Sequence, residues 1–195
     1  MSAGAPAPAR APRRTLVLGG ARSGQSATAE RLVRAERTLT YVATGPGASA
    51  DDPDWTARVQ AHRDRRPAHW NTWETTDVAS ALRTTQGPLL VDSLTAWLTA
   101  LLDRAGAWQD QPGWRGRVET QVDDLLAAWQ GVPVRAVVVS DEVGWGVVPA
   151  VASGRLFRDL LGELNTRVAQ ASERVLLVVA GRELELPRAD VEGSP

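Results

Sequence analysis

The chain alternates short continuous apolar runs with stretches whose apolar positions recur at helical spacing. The candidate strands are Thr15–Leu18, Leu39–Ala43, Leu89–Asp92, Val134–Ser140 and Val175–Ala180. Runs such as AVVVS and VLLVVA place apolar side chains at consecutive positions, as strands buried on both faces of a parallel sheet do. From Arg155 to Ala171, Leu156, Leu160, Leu164 and Val168 recur every fourth residue and make one apolar helix face. Ser93–Ala105 and Arg115–Gln130 also read as helices, separated by the breaker-rich AGAWQDQPG. This alternation predicts an α/β fold, a mostly parallel sheet flanked by helices. Residues 15–187 read as one domain without internal repeats. The Ala-, Pro- and Arg-rich residues 1–14 read as a disordered tail, and residues 188–195 as a C-terminal tail.

Composition narrows the function classes. The chain has 195 residues, enough for one substantial core, and no cysteine, which excludes disulfides and thiolate–metal sites. All 22 basic side chains are arginine, and the net charge is −1. A near-neutral balance argues against a broad nucleic-acid surface. No apolar stretch approaches the roughly 18 residues of a membrane span, and the basic leader lacks the apolar region of a secretory signal. The expected location is the cytoplasm.

Thr15–Leu18 runs directly into GGARSGQS, followed by the helix-forming ATAERLVRAER. The segment matches the phosphate-loop pattern G-x-x-x-x-G-K-[ST] at Gly19, Gly24 and Ser26 and departs from it at Gln25. The glycines let backbone N–H groups turn toward an anion, and the following helix N-terminus adds positive potential. Gly19, Gly20, Ala21, Arg22, Ser23, Gly24, Gln25 and Ser26 are therefore candidate nucleotide-binding residues, with the Ser26 hydroxyl a ligand for Mg²⁺. A glycine-rich turn with Ser26 capping the helix is the plainer alternative. Gln25 is neutral where a lysine is normally found, so charge against the β and γ phosphates is missing; Arg22 is a candidate to supply it. Asp92 ends an apolar strand and suits a second magnesium-holding position, although a helix-capping role fits it equally well in isolation. These features together predict the P-loop NTPase type of α/β fold.

Several segments, in order, resemble one family: GGARSGQS, TYVATG, RVQAHRDRRPAHWNTWE, LLVDSLTAWLTALL, and VVVSDEVGWGVVP followed by GRLFRDLLGELNTRVA. They are similar to the bifunctional adenosylcobinamide kinase/adenosylcobinamide-phosphate guanylyltransferases of cobalamin biosynthesis, from about Thr15 to Leu186. The resemblance implies two reactions. The aminopropanol hydroxyl of adenosylcobinamide is phosphorylated with ATP or GTP, and GMP is then transferred from GTP onto that phosphate through a guanylyl–histidine intermediate. It implies that His62 is the histidine, and that Ala43, Thr44, Gly45, Glu74 and Asp92 contact the guanine nucleotide or its Mg²⁺. Neighbouring Arg63, Asp64, Arg65 and Arg66 fall in the same motif, where arginines orient phosphates through bidentate contacts; a solvated, charged helix end is the plainer reading of HRDRR. A homo-oligomer, often a trimer, is also implied.

The imidazole at position 62 suits the chemistry independently, because a neutral ring nitrogen attacks an α-phosphorus and the phosphoramidate formed is labile. His69 is read as structural. Asp141 and Glu142 are candidates to position water or substrate, or caps. Trp145 is the candidate for the flat corrinoid ring, whereas Trp97 and Trp129 read as core. Gln25 leaves two alternatives beside the bifunctional enzyme: a homologue retaining only guanylyl transfer, or a silent nucleotide- or corrinoid-binding regulator.

Overall fold

The computed structural model describes residues 12–46 and 53–188; most of the expected tails, residues 1–11 and 189–195, lies outside them. Among the described residues seven strands form one sheet: β1 (Arg14–Gly19), β2 (Leu39–Ala43), β3 (Trp70–Glu74), β4 (Leu89–Asp92), β5 (Ala136–Asp141), β6 (Arg174–Val179) and β7 (Arg182–Leu186). Their order is β3-β2-β4-β5-β1-β6-β7. All neighbours are parallel except β6 and β7. Among the described residues six α-helices and one 3₁₀ turn (Ala107–Gln109) lie between them; the α-helices are α1 (Gln25–Val33), α2 (Pro53–Arg65), α3 (Val78–Thr84), α4 (Leu94–Ala105), α5 (Trp114–Gly131) and α6 (Ala152–Ala171). Among the described residues no helix is long and apolar enough to cross a membrane.

The continuous apolar runs are explained by burial on both sheet faces. Leu16, Leu89, Val91 and Val138 pack with α3–α6 residues such as Leu82, Leu102, Leu125 and Leu161. Their strand neighbours Val17, Leu90, Val137 and Val139 turn to the other face, against Ala29 and Val33 of α1. Strand side chains alternate with period 2, so covering both faces makes every position apolar.

Of the five strands read from sequence, Leu39–Ala43 and Leu89–Asp92 have the expected bounds, and the other three are shifted by one or two residues. Two more were not read. β3 buries only Trp70 of its five residues and so lacks an apolar pattern. β7 carries the alternation Leu184, Leu186 but is mostly exposed. It returns on β6 through Ala180 and Gly181, both at positive φ (49° and 75°), the geometry of a two-residue hairpin turn. The α6 stripe also differs in detail. Leu161, Leu164 and Val168 are buried, while Leu156 and Leu160 lie half-buried on its margin.

Leu102, fully buried at the centre of the larger cluster, gives a direct check on this packing. Leu102→Ala should lower unfolding free energy by about 2–5 kcal/mol in urea denaturation. A loss well under about 1 kcal/mol would place the residue outside a packed core.

Candidate active site

The loop after β1 closes on itself, and the glycines differ in what they do. A Cβ on Gly19 would sit 2.2 Å from Ser23 Oγ and 3.0 Å from the Val178 carbonyl. Gly24 has φ 98° and forms the N-cap of α1. Both positions require glycine, whereas a Cβ on Gly20 would meet nothing within 4 Å. Ser23 N–H donates to the Gly20 carbonyl and Gly181 N–H to the Ser23 carbonyl, so the β6–β7 turn braces the loop. Ala21 and Arg22 are exposed at the tip, with Arg22 in the left-handed region at φ 59°. The Ser26 hydroxyl does not cap α1, which has no side-chain cap; it turns to Asp92 Oδ1 at 3.4 Å.

Asp92 is the centre of the arrangement. β4 delivers it at its C-terminal end, and the helix that follows is capped by Ser93, whose Oγ accepts from Ala96 N–H. Its other oxygen, Oδ2, accepts from the Tyr41 hydroxyl at 2.7 Å and lies 3.3 Å from His62 Nδ1. Burial acts to raise the Asp92 carboxyl pKa, but hydrogen bonds from His62, Tyr41 and Ser26, with the attraction of the imidazole, hold it below the usual carboxylate range. Burial first, and then the Asp92 charge, push the Tyr41 hydroxyl up, so Tyr41 stays a donor. A neutral ring that keeps its proton on Nδ1 toward Asp92 would carry its lone pair on Nε2. The side chain is about one-third exposed, within reach of a substrate.

Helix α2 brings His62 to this point, and three arginines fasten the helix. Arg65 makes two contacts of 3.2 Å to the Glu30 carboxylate on α1. The Arg66 guanidinium stacks 3.6 Å over the Tyr41 ring and donates to Thr72 Oγ1. Arg63 pairs with Glu74 at the end of β3. All three are candidate phosphate ligands from the sequence, with a solvated helix end as the alternative; here each has a protein partner. Asp64 accepts from Gln60 on the same helix. His69 is exposed on the turn before β3.

The C-terminal ends of β2 and β3 gather another set of expected residues. Ala43, Thr44, Gly45 and Glu74, with Thr75 and Thr76, line a hollow of about 450 Å³. Thr44 is buried, and its hydroxyl bridges the Ser93 backbone, donating to its carbonyl (2.6 Å) and accepting from its N–H (3.0 Å). Its part is to hold β2 against β4. Glu142 folds back on Gly144 N–H within the turn. Trp145 is about two-thirds exposed, beside the exposed Val147, Val148 and Val151, while Trp97 and Trp129 are buried.

Tyr41 was missed, although the only tyrosine of the chain, set inside an apolar strand, signals a hydroxyl in need of a buried partner. Thr95 and Asn165 were missed as well. Thr95 Oγ1 accepts from Asp141 N–H and Asn165 Nδ2 donates to the Asp141 carbonyl. Helical positions give no sign of such contacts.

A glycine loop between a buried strand and a helix, with a serine in the first helical turn facing a strand-end aspartate, defines a nucleotide-binding protein of the P-loop NTPase type. Residues 15–186 match the model of the family described as cobinamide kinase / cobinamide phosphate guanyltransferase, and the chain belongs to that family. It is 39% identical over 175 residues to the bifunctional adenosylcobalamin biosynthesis protein CobU of Salmonella typhimurium, covering 85% of this chain and 95% of that protein. It is 35% identical to CobU of Escherichia coli over the same shares of both chains. It is 40% identical to CobP of Pseudomonas aeruginosa, covering 89% of this chain and 96% of the relative.

The depressed Asp92 carboxyl has a measurable consequence. A carboxyl lowered in the fold favours folding above its unfolded value of about 3.9, and that contribution is lost as pH falls through the lower folded value. The stability advantage of wild type over Asp92→Asn, followed by urea denaturation, should shrink as pH falls from about 5 to below about 4. A difference unchanged across that range would contradict an ionised, hydrogen-bonded Asp92.

Proposed function

We propose that this protein phosphorylates adenosylcobinamide with ATP or GTP and then transfers GMP from GTP onto the adenosylcobinamide phosphate. The observation that carries the reading is the position of His62, with Nδ1 on Asp92 Oδ2 while Oδ1 of the same carboxylate faces the phosphate-loop serine. In the first reaction the substrate hydroxyl attacks the γ-phosphorus, and the nucleoside diphosphate leaves. In the second, His62 Nε2 attacks the α-phosphorus of GTP, an N–P bond forms, and pyrophosphate departs. An oxygen of the corrinoid phosphate then displaces the histidine, which regains its lone pair and releases adenosylcobinamide-GDP.

Asp92 fixes the ring orientation and favours the tautomer that leaves Nε2 reactive, as an orienting carboxylate does in hydrolytic triads. The hollow beside Ala43–Gly45 and Glu74 is our candidate for the guanine nucleotide, and Arg63, paired with Glu74, would turn to phosphate when nucleotide is bound. The Gly19–Ser26 backbone would cradle the triphosphate, Gly20 and Ala21 included. Ser26 and Asp92 suit a hard divalent ion: two oxygen donors, one an ionised carboxylate, leave other positions for water and phosphate. Among the described residues no cluster of three acidic or histidine side chains forms a protein-only metal cage, which agrees with an ion held mainly through substrate. Mg²⁺ bound there would neutralise phosphate charge. Trp145 offers an exposed flat face to the corrinoid. A homo-oligomer, with a trimer as the specific form, and a cytoplasmic location complete the proposal.

A second reading, guanylyl transfer alone, is favoured by one observation. The Gln25 amide is engaged with Ser23 and Asp141 rather than supplying charge at the loop. Purified protein incubated with α-labelled GTP and a magnesium salt should acquire acid-labile, base-stable label that is lost in His62→Ala. An unlabelled wild type would remove the guanylyltransferase reading. Phosphate transfer to adenosylcobinamide, assayed in parallel, separates the bifunctional enzyme from the single-activity one.

Arg22, exposed at the loop tip, is the cation of the loop itself. Arg22→Ala should weaken ATP and GTP binding about tenfold in calorimetric titration, a loss of about 1.4 kcal/mol. Unchanged affinity would mean that the triphosphate draws its positive charge from elsewhere.

A further inference from the structure

Gln25 is held at both ends of its amide. Oε1 accepts from Ser23 Oγ at 2.7 Å, and Nε2 donates to Asp141 Oδ1 at 2.8 Å. The residue is 9% exposed. Asp141 is fixed in turn by its backbone, through Thr95 from α4 and Asn165 from α6. The β1–β5 register places it beside Gly19, and Glu142 N–H donates to the Gly19 carbonyl. A carboxylate is thus anchored at the base of a loop built to receive phosphates.

Two consequences follow from charge. The carboxylate opposes an incoming triphosphate, and it is the anion to which the end of the side chain at position 25 is already directed. A lysine there, following the path of Gln25, would meet Asp141 before it met a phosphate. The Gln25 amide bonds one oxygen of that carboxylate and brings no charge to it, and Arg22 is the one cation within the loop sequence.

We infer that Asp141 is a positioning and specificity-determining residue of the phosphate site: it directs the side chain at position 25 toward β5 and lowers the preference of the loop for triphosphate over monophosphate. Asp141 acts through residue 25 and through its charge, not by touching the reacting atoms. The inference deepens the proposed function and rests on triphosphate binding at this loop.

The test is a cycle of four proteins: wild type, Gln25→Lys, Asp141→Asn and the double variant. Calorimetric titrations with a non-hydrolysable ATP analogue, a non-hydrolysable GTP analogue and GMP give affinity and triphosphate-over-monophosphate selectivity. Gln25→Lys alone should stay within about threefold of wild type, Asp141→Asn should tighten triphosphate by about threefold, and the pair should tighten it by about thirtyfold or more, beyond the product of the singles. Selectivity for triphosphate should rise with affinity, which a purely structural role for Asp141 would not produce. Where Asp141→Asn does not fold, Asp141→Ser carries the same comparison. Gln25→Lys alone matching the double variant, or effects that simply multiply, would overturn the inference. His62 labelling by α-labelled GTP in the same preparations distinguishes the two failures. Labelled His62 with multiplicative effects removes only the role of Asp141; no triphosphate binding and no label in any of the four removes that role and the proposed function together.

Discussion

One carboxylate joins the parts of this site. Asp92 receives Ser26 of the phosphate loop on Oδ1 and both Tyr41 and His62 on Oδ2. It is largely buried, where an ionised group is costly unless hydrogen-bonded, and these contacts satisfy that requirement. The dependence runs both ways. The charge of Asp92 orients the imidazole, and the donors around Asp92 keep it charged. Thr44, bridging the Ser93 backbone, fixes the strand end from which Asp92 projects. Because the same carboxylate faces the loop and the histidine, the two chemistries proposed for this protein share a structural element.

Placing His62 there is a matter of docking a helix. The α2 sequence PDWTARVQAHRDR has no strong apolar stripe. Its C-terminal end is tied down by Arg65 on Glu30, Arg66 over Tyr41, and Arg63 on Glu74. The Arg65–Glu30 contacts approach a bidentate pair with a mostly buried carboxylate, and the Arg66 stack shields the ring whose hydroxyl holds Asp92. Exposed ion pairs of the Arg63–Glu74 kind contribute little on their own. Directional contacts thus seat the end of α2 that carries His62, which suits the group-carrying role proposed for that residue.

The sheet was legible in the sequence because burial on both faces writes itself as continuous apolar runs, as in AVVVS and VLLVVA. The phosphate loop was legible because its glycines, helix start and strand are contiguous. β3 was not, since one buried tryptophan makes no pattern. Neither were the contacts that join distant parts of the chain. Gln25 meets Asp141 across 116 positions, and His62 meets Asp92 across a sheet whose strand order no local pattern encodes. The HRDRR arginines could be read as phosphate ligands because a guanidinium fork suits carboxylate and phosphate alike; only tertiary packing tells which partner is present. The resemblance on which the functional reading rested was carried by longer segments, Arg58–Pro67 and Glu142–Pro149, and the family match covers them both.

The central claim is that Asp92 holds Nδ1 of His62 and leaves Nε2 as the attacking atom. Nitrogen-15 and phosphorus-31 NMR on protein carrying labelled histidine, after reaction with GTP, reports which ring nitrogen is bonded to phosphorus. The account predicts a phosphorus bond at Nε2 of His62, with a protonated Nδ1 still facing Asp92. A phosphorus bond at Nδ1, or on any other residue, would contradict it.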